Sequence, residues 1–293
     1  MKELAEEETT LMFHAEMLPP EPSPQVSEQA QAPEGSPEAY KTFLDSRPAA
    51  FETYAIDEVI RLAHLAPKLP LHIVHLSAIE AIPALRKARD NGVEITAETC
   101  FHYLSLAAET IQDGDTRHKC CPPIRGSANQ DGLWHELTKA ESDDSVIRTV
   151  VSDHSPCTPA LKLLPINVGG KDDDGADEHK KRGDFSAAWG GISSVGLGLS
   201  ILWTERAQGR RKFEIEDVVQ WCCVNNAKQV GLERSKGALA VGMDADVAVF
   251  DDEADFLVSS EIKLLRVSQA DKSRYNRVRC CFATSARHIR ERH

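Results

Sequence analysis

The sequence predicts an α/β protein organised around a parallel sheet, and three observations carry that expectation. Short segments at 9–14, 71–75, 93–98 and 146–153 have strand length and are mostly apolar. Helical patterns separate them along the chain. Strands that are apolar on both faces need cover on both faces, which crossover helices provide in parallel sheets.

Taken in order, residues 2–8 read as a short helix, followed by the first strand, Thr9-Thr10-Leu11-Met12-Phe13-His14. Residues 19–39 are rich in Pro, Glu, Ser and Gln, a composition with too few apolar groups to build a core, and are expected to form a flexible insertion. Ala55, Val59, Ile60, Leu62, Ala63 and Ala66 recur at helical spacing until Pro67 and Pro70 stop the pattern. The strand Leu71-His72-Ile73-Val74-His75 follows. Ser77 is the expected N-cap of a helix over 78–91, which Asn91-Gly92 closes. A third strand covers 93–98, a helix 128–139 and a fourth strand 146–153. Residues 160–185 carry Gly169-Gly170 and a dense charge run, and read as an exposed, flexible loop. Helices are expected over 190–207 and 214–230, then two short strands at 236–239 and 245–250.

Composition excludes several function classes. The 34 Lys+Arg against 46 Asp+Glu give a net charge of −12, which argues against nucleic acid as a partner. No stretch approaches the ~18–20 apolar residues of a membrane span, so no membrane partner is expected. The eight cysteines include the adjacent pairs Cys120-Cys121, Cys222-Cys223 and Cys280-Cys281. Neighbours of this kind rarely form structural disulfides, so a reducing, cytoplasmic setting is expected. No GxGxxG or GxxxxGK[ST] follows a strand, which leaves nucleotide binding without support.

Three of the four strands end in a candidate metal ligand: His14, His75 and Asp153. In parallel α/β folds the chemistry collects at the C-terminal ends of strands, where loops meet around one opening. Neutral imidazoles and a carboxylate suit zinc. On spacing alone, each could equally be a satisfied structural residue.

The surrounding motifs carry a resemblance. Phe13-His14-Ala15-Glu16, His72-Ile73-Val74-His75-Leu76-Ser77, Cys120-Cys121-Pro122-Pro123-Ile124-Arg125, Val151-Ser152-Asp153-His154-Ser155-Pro156-Cys157 and Ala188-Trp189-Gly190-Gly191-Ile192 resemble the allantoinases, cyclic amidohydrolases of the amidohydrolase superfamily. The stretch from Gly237 to Val247 is similar to the segment that returns to that superfamily's small β-sandwich. The resemblance implies a partial TIM (β/α) barrel, its C-terminal half with strands 5–8, over residues 1–233. Return strands of the β-sandwich would occupy 234–262, and an unmatched basic tail 263–293. It also implies two zinc ions bridged by hydroxide and a carbamylated lysine. His14 and His75 would bind the more exposed ion, and Asp153 would serve as ligand and general base. Ser155, Cys121 and Pro122 would contact the small-molecule substrate, allantoin, whose hydantoin ring opens to allantoate. A family-like homo-oligomer is implied as well. The alternatives are a dihydropyrimidinase- or hydantoinase-like hydrolase and a non-catalytic interaction protein.

The sequence also departs from the family pattern. It contains no His-x-His, and only thirteen residues precede His14, with Lys2 the one lysine among them. The expectation is therefore an N-terminally truncated chain or gene model. It would hold at most one zinc weakly, would leave two strand edges bare, and would have little or no activity alone.

Overall fold

A computed structural model describes residues 1–20, 33–139, 145–172, 175–177, 181–249, 251–256 and 278–279. The central sheet contains β1 (Leu11–Phe13), β2 (Leu71–Ile73), β3 (Ile95–Cys100) and β4 (Ile147–Val151). The strands lie in the order β1-β2-β3-β4, and every pair is parallel. Leu11 lies opposite Leu71, and Leu71 opposite Ile95, so a row of leucine and isoleucine crosses three strands. Between Ala97 and Glu98 the register against β4 shifts, which bends the end of β3. Among the described residues β1 and β4 have no further neighbour in this sheet. The predicted α/β class holds, and the successive βα units form a partial barrel.

Two helices, α1 (Tyr40–Asp45) and α2 (Ala49–Leu62), lie between β1 and β2, and α3 (Ile82–Asp90) connects β2 to β3. α2 forms because Phe51, Ala55, Ile56 and Val59 fall on one buried face. α3 starts at Ile82-Pro83 and stops as expected at Asn91-Gly92, where Gly92 takes φ +85° and donates its N–H to the Arg89 carbonyl. Next come α4 (Phe101–Ser105) and α5 (Ser127–Leu137), then β4. The chain continues through α6 (Gly198–Ala207), α7 (Ile215–Val219) and α8 (Asn225–Gln229). Leu71, Ile73, Ile95 and Ala97 of the sheet join Ile56, Leu85, Leu133 and Leu202 of the helices in one buried core. Trp134 stacks on Phe213 at 5.4 Å and donates its indole N–H to the Leu104 carbonyl, which fixes α5 beside α4.

Several expected elements differ, each for a tertiary reason. The helix over 2–8 shrinks to a 3-10 turn, Lys2–Leu4, with no buried residue to hold it. Ser77 does not cap the following helix, because its hydroxyl donates instead to the Pro123 carbonyl. The helix expected from 190 begins at Gly198, since Gly191 and Ile192 are taken up in bonds to other loops. The one over 214–230 is interrupted by a π-turn at Gln220–Val224. Residues 236–249 form turns rather than strands, with Lys236 bridging Asp244 and Asp246. A small antiparallel pair forms between β5 (Asp255–Phe256) and β6 (Val278–Arg279). The segment 160–185, expected as an exposed loop, is anchored by buried Leu163, Leu164 and Phe185, the last stacked on Phe43. Residues 21–32 of the expected 19–39 insertion, and all of the 263–293 tail except 278–279, lie outside the described residues.

Candidate active site

Each predicted metal ligand sits just past the C-terminal end of a strand. His14 follows β1 directly, and His75 and Asp153 lie two residues beyond β2 and β4. His75 and Asp153 have φ of +41° and +42°, so the chain turns off each strand through the left-handed region. For a residue other than glycine this is an uncommon conformation, and such conformations cluster at functional sites.

The two histidines meet. His14 Nδ1 and His75 Nε2 share a hydrogen bond of 2.9 Å, and the rings stand edge to face with centroids 4.6 Å apart. His75 is buried, and its Nδ1 has no hydrogen-bond partner among the described residues. Burial lowers the His75 pKa, the His14 charge adds to that, and nearby Asp153 opposes it. The net effect keeps the imidazole neutral, the form that can donate a lone pair.

His14 is half-exposed and lies 3.4 Å by its Nε2 from Glu16 Oε2. That same oxygen accepts from Arg47 Nη1 at 2.6 Å. Burial raises the Glu16 pKa, but His14 and Arg47 outweigh it and the carboxyl ends below its ordinary value. Glu16 is thus an anion held behind His14, a role that the sequence left undecided.

The expected substrate contacts border the same region. Cys121 and Pro122 are joined by a cis peptide bond, and the Pro122 carbonyl accepts from the Tyr103 hydroxyl at 2.7 Å. Burial pushes the Cys121 thiol pKa up, although Arg47 opposes it. Ser155 donates its N–H to the Ile192 carbonyl, and Gly191 packs so closely on Ser155 that a Cβ there would clash. Two lysines secure that wall. Lys119 donates to the carbonyls of Ser186 and Ala188, and Lys162 to those of Trp189 and Gly191.

Sequence reasoning missed Arg47, Lys119, Lys162 and the buried Glu52 on α2. Only Glu52 left a local signal, as an acid beside Phe51 in a helix face that otherwise reads as apolar.

Two facing imidazoles with a carboxylate nearby match zinc in donor type. They match it incompletely in number: among the described residues no group of three or more His, Cys, Asp or Glu side chains is assembled to hold an ion.

Comparison with known proteins agrees with this fold. A family described as "Amidohydrolase family" matches residues 148–272. The chain is 46% identical over 262 residues to an allantoinase of Saccharomyces cerevisiae, covering 89% of this chain and 50% of that one. It is 38% identical over 256 residues to a probable allantoinase 2 of Dictyostelium discoideum, covering 87% of this chain and 46% of that one. The fold superposes on an L-hydantoinase (dihydropyrimidinase) from Arthrobacter aurescens with a TM-score of 0.68 at 21% identity, covering 94% of this chain and 55% of that one. The chain therefore spans about half the length of the curated relatives it matches. Strand-end histidines in contact, a parallel partial barrel and these sequence matches have one common explanation: the chain belongs to the amidohydrolase superfamily.

Proposed function

We propose that the chain carries the C-terminal half of a cyclic amide hydrolase of the allantoinase type, which opens the hydantoin ring of allantoin to allantoate in the breakdown of purine-derived ureides. The observation that carries this reading is the contact of His14 with His75 beside Asp153, in a chain 46% identical to an allantoinase. The higher identity to allantoinases than to the hydantoinase structures favours allantoin over dihydropyrimidines.

His14 and His75 would hold the metal, with Asp153 at its edge. Zinc, when bound, supplies a Lewis acid that polarises an amide carbonyl and makes water a better nucleophile at neutral pH. The chain's own groups do the rest. Asp153 takes a proton from the attacking water and returns it to the ring nitrogen as the C–N bond breaks. The backbone around Cys121 and Pro122, and Ser155 against the 190–192 wall, orient a small polar ring. Six cysteines among the described residues form no disulfide, which supports a reducing compartment. With no third metal donor assembled among the described residues, the chain alone is expected to hold one ion loosely and to turn over slowly at best.

Zinc titration of the purified chain, with a substrate panel of allantoin, hydantoin and dihydrouracil, tests the reading. The expected result is zinc binding that His14→Ala and His75→Ala abolish, and allantoin binding that depends on zinc. Equal zinc binding by wild type and both variants, or a preference for dihydrouracil, would overturn it.

A further inference from the structure

Glu52 is 1% exposed, on the buried face of α2, yet none of the expected chemistry uses it. Its Oε2 accepts the N–H groups of Ser77 at 2.8 Å and Ala78 at 3.1 Å. Its Oε1 accepts from Arg125 Nη2 at 2.7 Å. These amides follow His75 by two and three residues, in the turn that begins with the φ of +41°. Arg125 closes the segment Cys120-Cys121-Pro122-Pro123-Ile124-Arg125, and its Nη1 donates to the Arg47 carbonyl at 3.3 Å. Arg47 in turn holds Glu16 behind His14. The same turn is fastened twice more. Ser77 Oγ donates to the Pro123 carbonyl, and Asn129 accepts from the Ile79 N–H while donating to the Ser77 carbonyl.

Stability alone is a weak reason to bury an ion pair, because well-packed apolar side chains often do as well. What a buried carboxylate with three donors provides is a fixed direction. We infer that Glu52 and Arg125 are positioning residues, which lock the turn after β2 so that the His75 ring faces His14, and couple that turn to the Cys121-Pro122 segment. This inference rests on the reading of His14 and His75 as ligands for its functional meaning, but its geometry stands apart from it.

The test compares the purified full chain with Glu52→Gln, Arg125→Lys and the control Glu136→Gln. Glu136 is another buried acid, whose partners are Arg86, Lys139 and the Val146 N–H and not the amides of this turn. Two quantities are read: backbone amide exchange across 76–81, and the affinity for Co2+ alone. Glu52→Gln and Arg125→Lys are expected to speed exchange at 76–81 by about tenfold or more relative to β3, and to weaken Co2+ binding about tenfold. Glu136→Gln should change neither ratio. Exchange that rises evenly over the whole chain in Glu52→Gln and Arg125→Lys, with Co2+ affinity unchanged, would overturn the inference. If Glu52→Gln does not fold, Arg125→Lys decides by the same ratio. Wild-type protein that binds no Co2+ counts against the metal reading of His14 and His75, and the exchange ratio then decides the positioning role by itself.

Discussion

Replacing Tyr103 by Phe isolates one hydrogen bond behind the candidate site. The Tyr103 hydroxyl donates to the Pro122 carbonyl at 2.7 Å, and the residue is 3% exposed. Phenylalanine keeps the ring and its packing, so no cavity opens; only the buried carbonyl loses its donor. A buried acceptor left without a partner costs about 1–3 kcal/mol, against about 1 kcal/mol for the net value of an ordinary hydrogen bond. Tyr40→Phe repeats the experiment two residues along, because the Tyr40 hydroxyl donates to the Ile124 carbonyl at 2.8 Å while its ring meets Phe43 and Phe185.

Each single variant should therefore lose about 1–3 kcal/mol of unfolding free energy in urea, with the slope against urea unchanged. The two carbonyls belong to one short segment, so the double variant should depart from additivity by about 0.5 kcal/mol or more. On the proposed function, Cys121 and Pro122 in the same segment contact the substrate, so allantoin affinity should fall along with stability. Losses below about 0.3 kcal/mol in both single variants would mean that water replaces the phenols, and the buried description of this segment would fail.

Other expectations follow from packing and charge. Gly198 opens α6 against the Phe101 ring, which lies well inside contact distance of any added Cβ; Gly198→Ala should cost about 1–3 kcal/mol of stability, recovered in part by adding Phe101→Leu, as thermal unfolding would show. Gly191 has φ +152° and packs on Ser155; Gly191→Ala should weaken allantoin binding while circular dichroism stays native. Asp115 lies between Arg117 and His118, and although burial raises its pKa, those partners bring it well below the usual carboxylate range. Its folded pKa is depressed, so its contribution is present above the unfolded value and is lost as pH falls below about 4; Asp115→Asn should flatten that part of the acid unfolding curve. Tyr40 and Tyr103 shift the other way, because burial pushes both phenols well above their ordinary value. Their contribution is complete below the unfolded value of about 10 and is lost as pH rises past it, so phenolate absorbance should show these two ionising together with alkaline unfolding.

What could be read from the sequence separates by the range of the interaction. His14, His75 and Asp153 stand at strand ends, and an apolar run followed by a polar residue marks a strand end locally, so these three could be named and the structure places them there. The parallel sheet was legible for the same reason. The start of α6 was placed too early: residues 190–197 hold three glycines, which are poor helix formers, and Gly191 and Ile192 bond to Lys119 and Ser155 across the fold. Glu52 left a local signal only as an acid in an apolar helix face, and its partners were not legible. Its partners lie 25, 26 and 73 residues away, and a glutamate within a helix ordinarily reads as a solvent-facing residue. Local periodicity could thus find the groups that would touch a metal or a substrate, but not the charges that aim them. Those charges betray themselves in another way: an ionised side chain on a buried helix face is costly unless paired, so its presence in an apolar stripe already implies distant partners. By that argument Glu136 on α5 belongs with Glu52, and Glu16, in the loop after β1, is held in a similar way. Each carboxylate is buried and held by arginine: Glu16 by Arg47 in the turn before α2, Glu52 by Arg125, and Glu136 by Arg86 on α3. Only Glu16 and Glu52 reach the candidate site, through His14 and through the turn after His75. The ranking of the three acids by effect on metal affinity should therefore follow that distinction and not burial, which all three share.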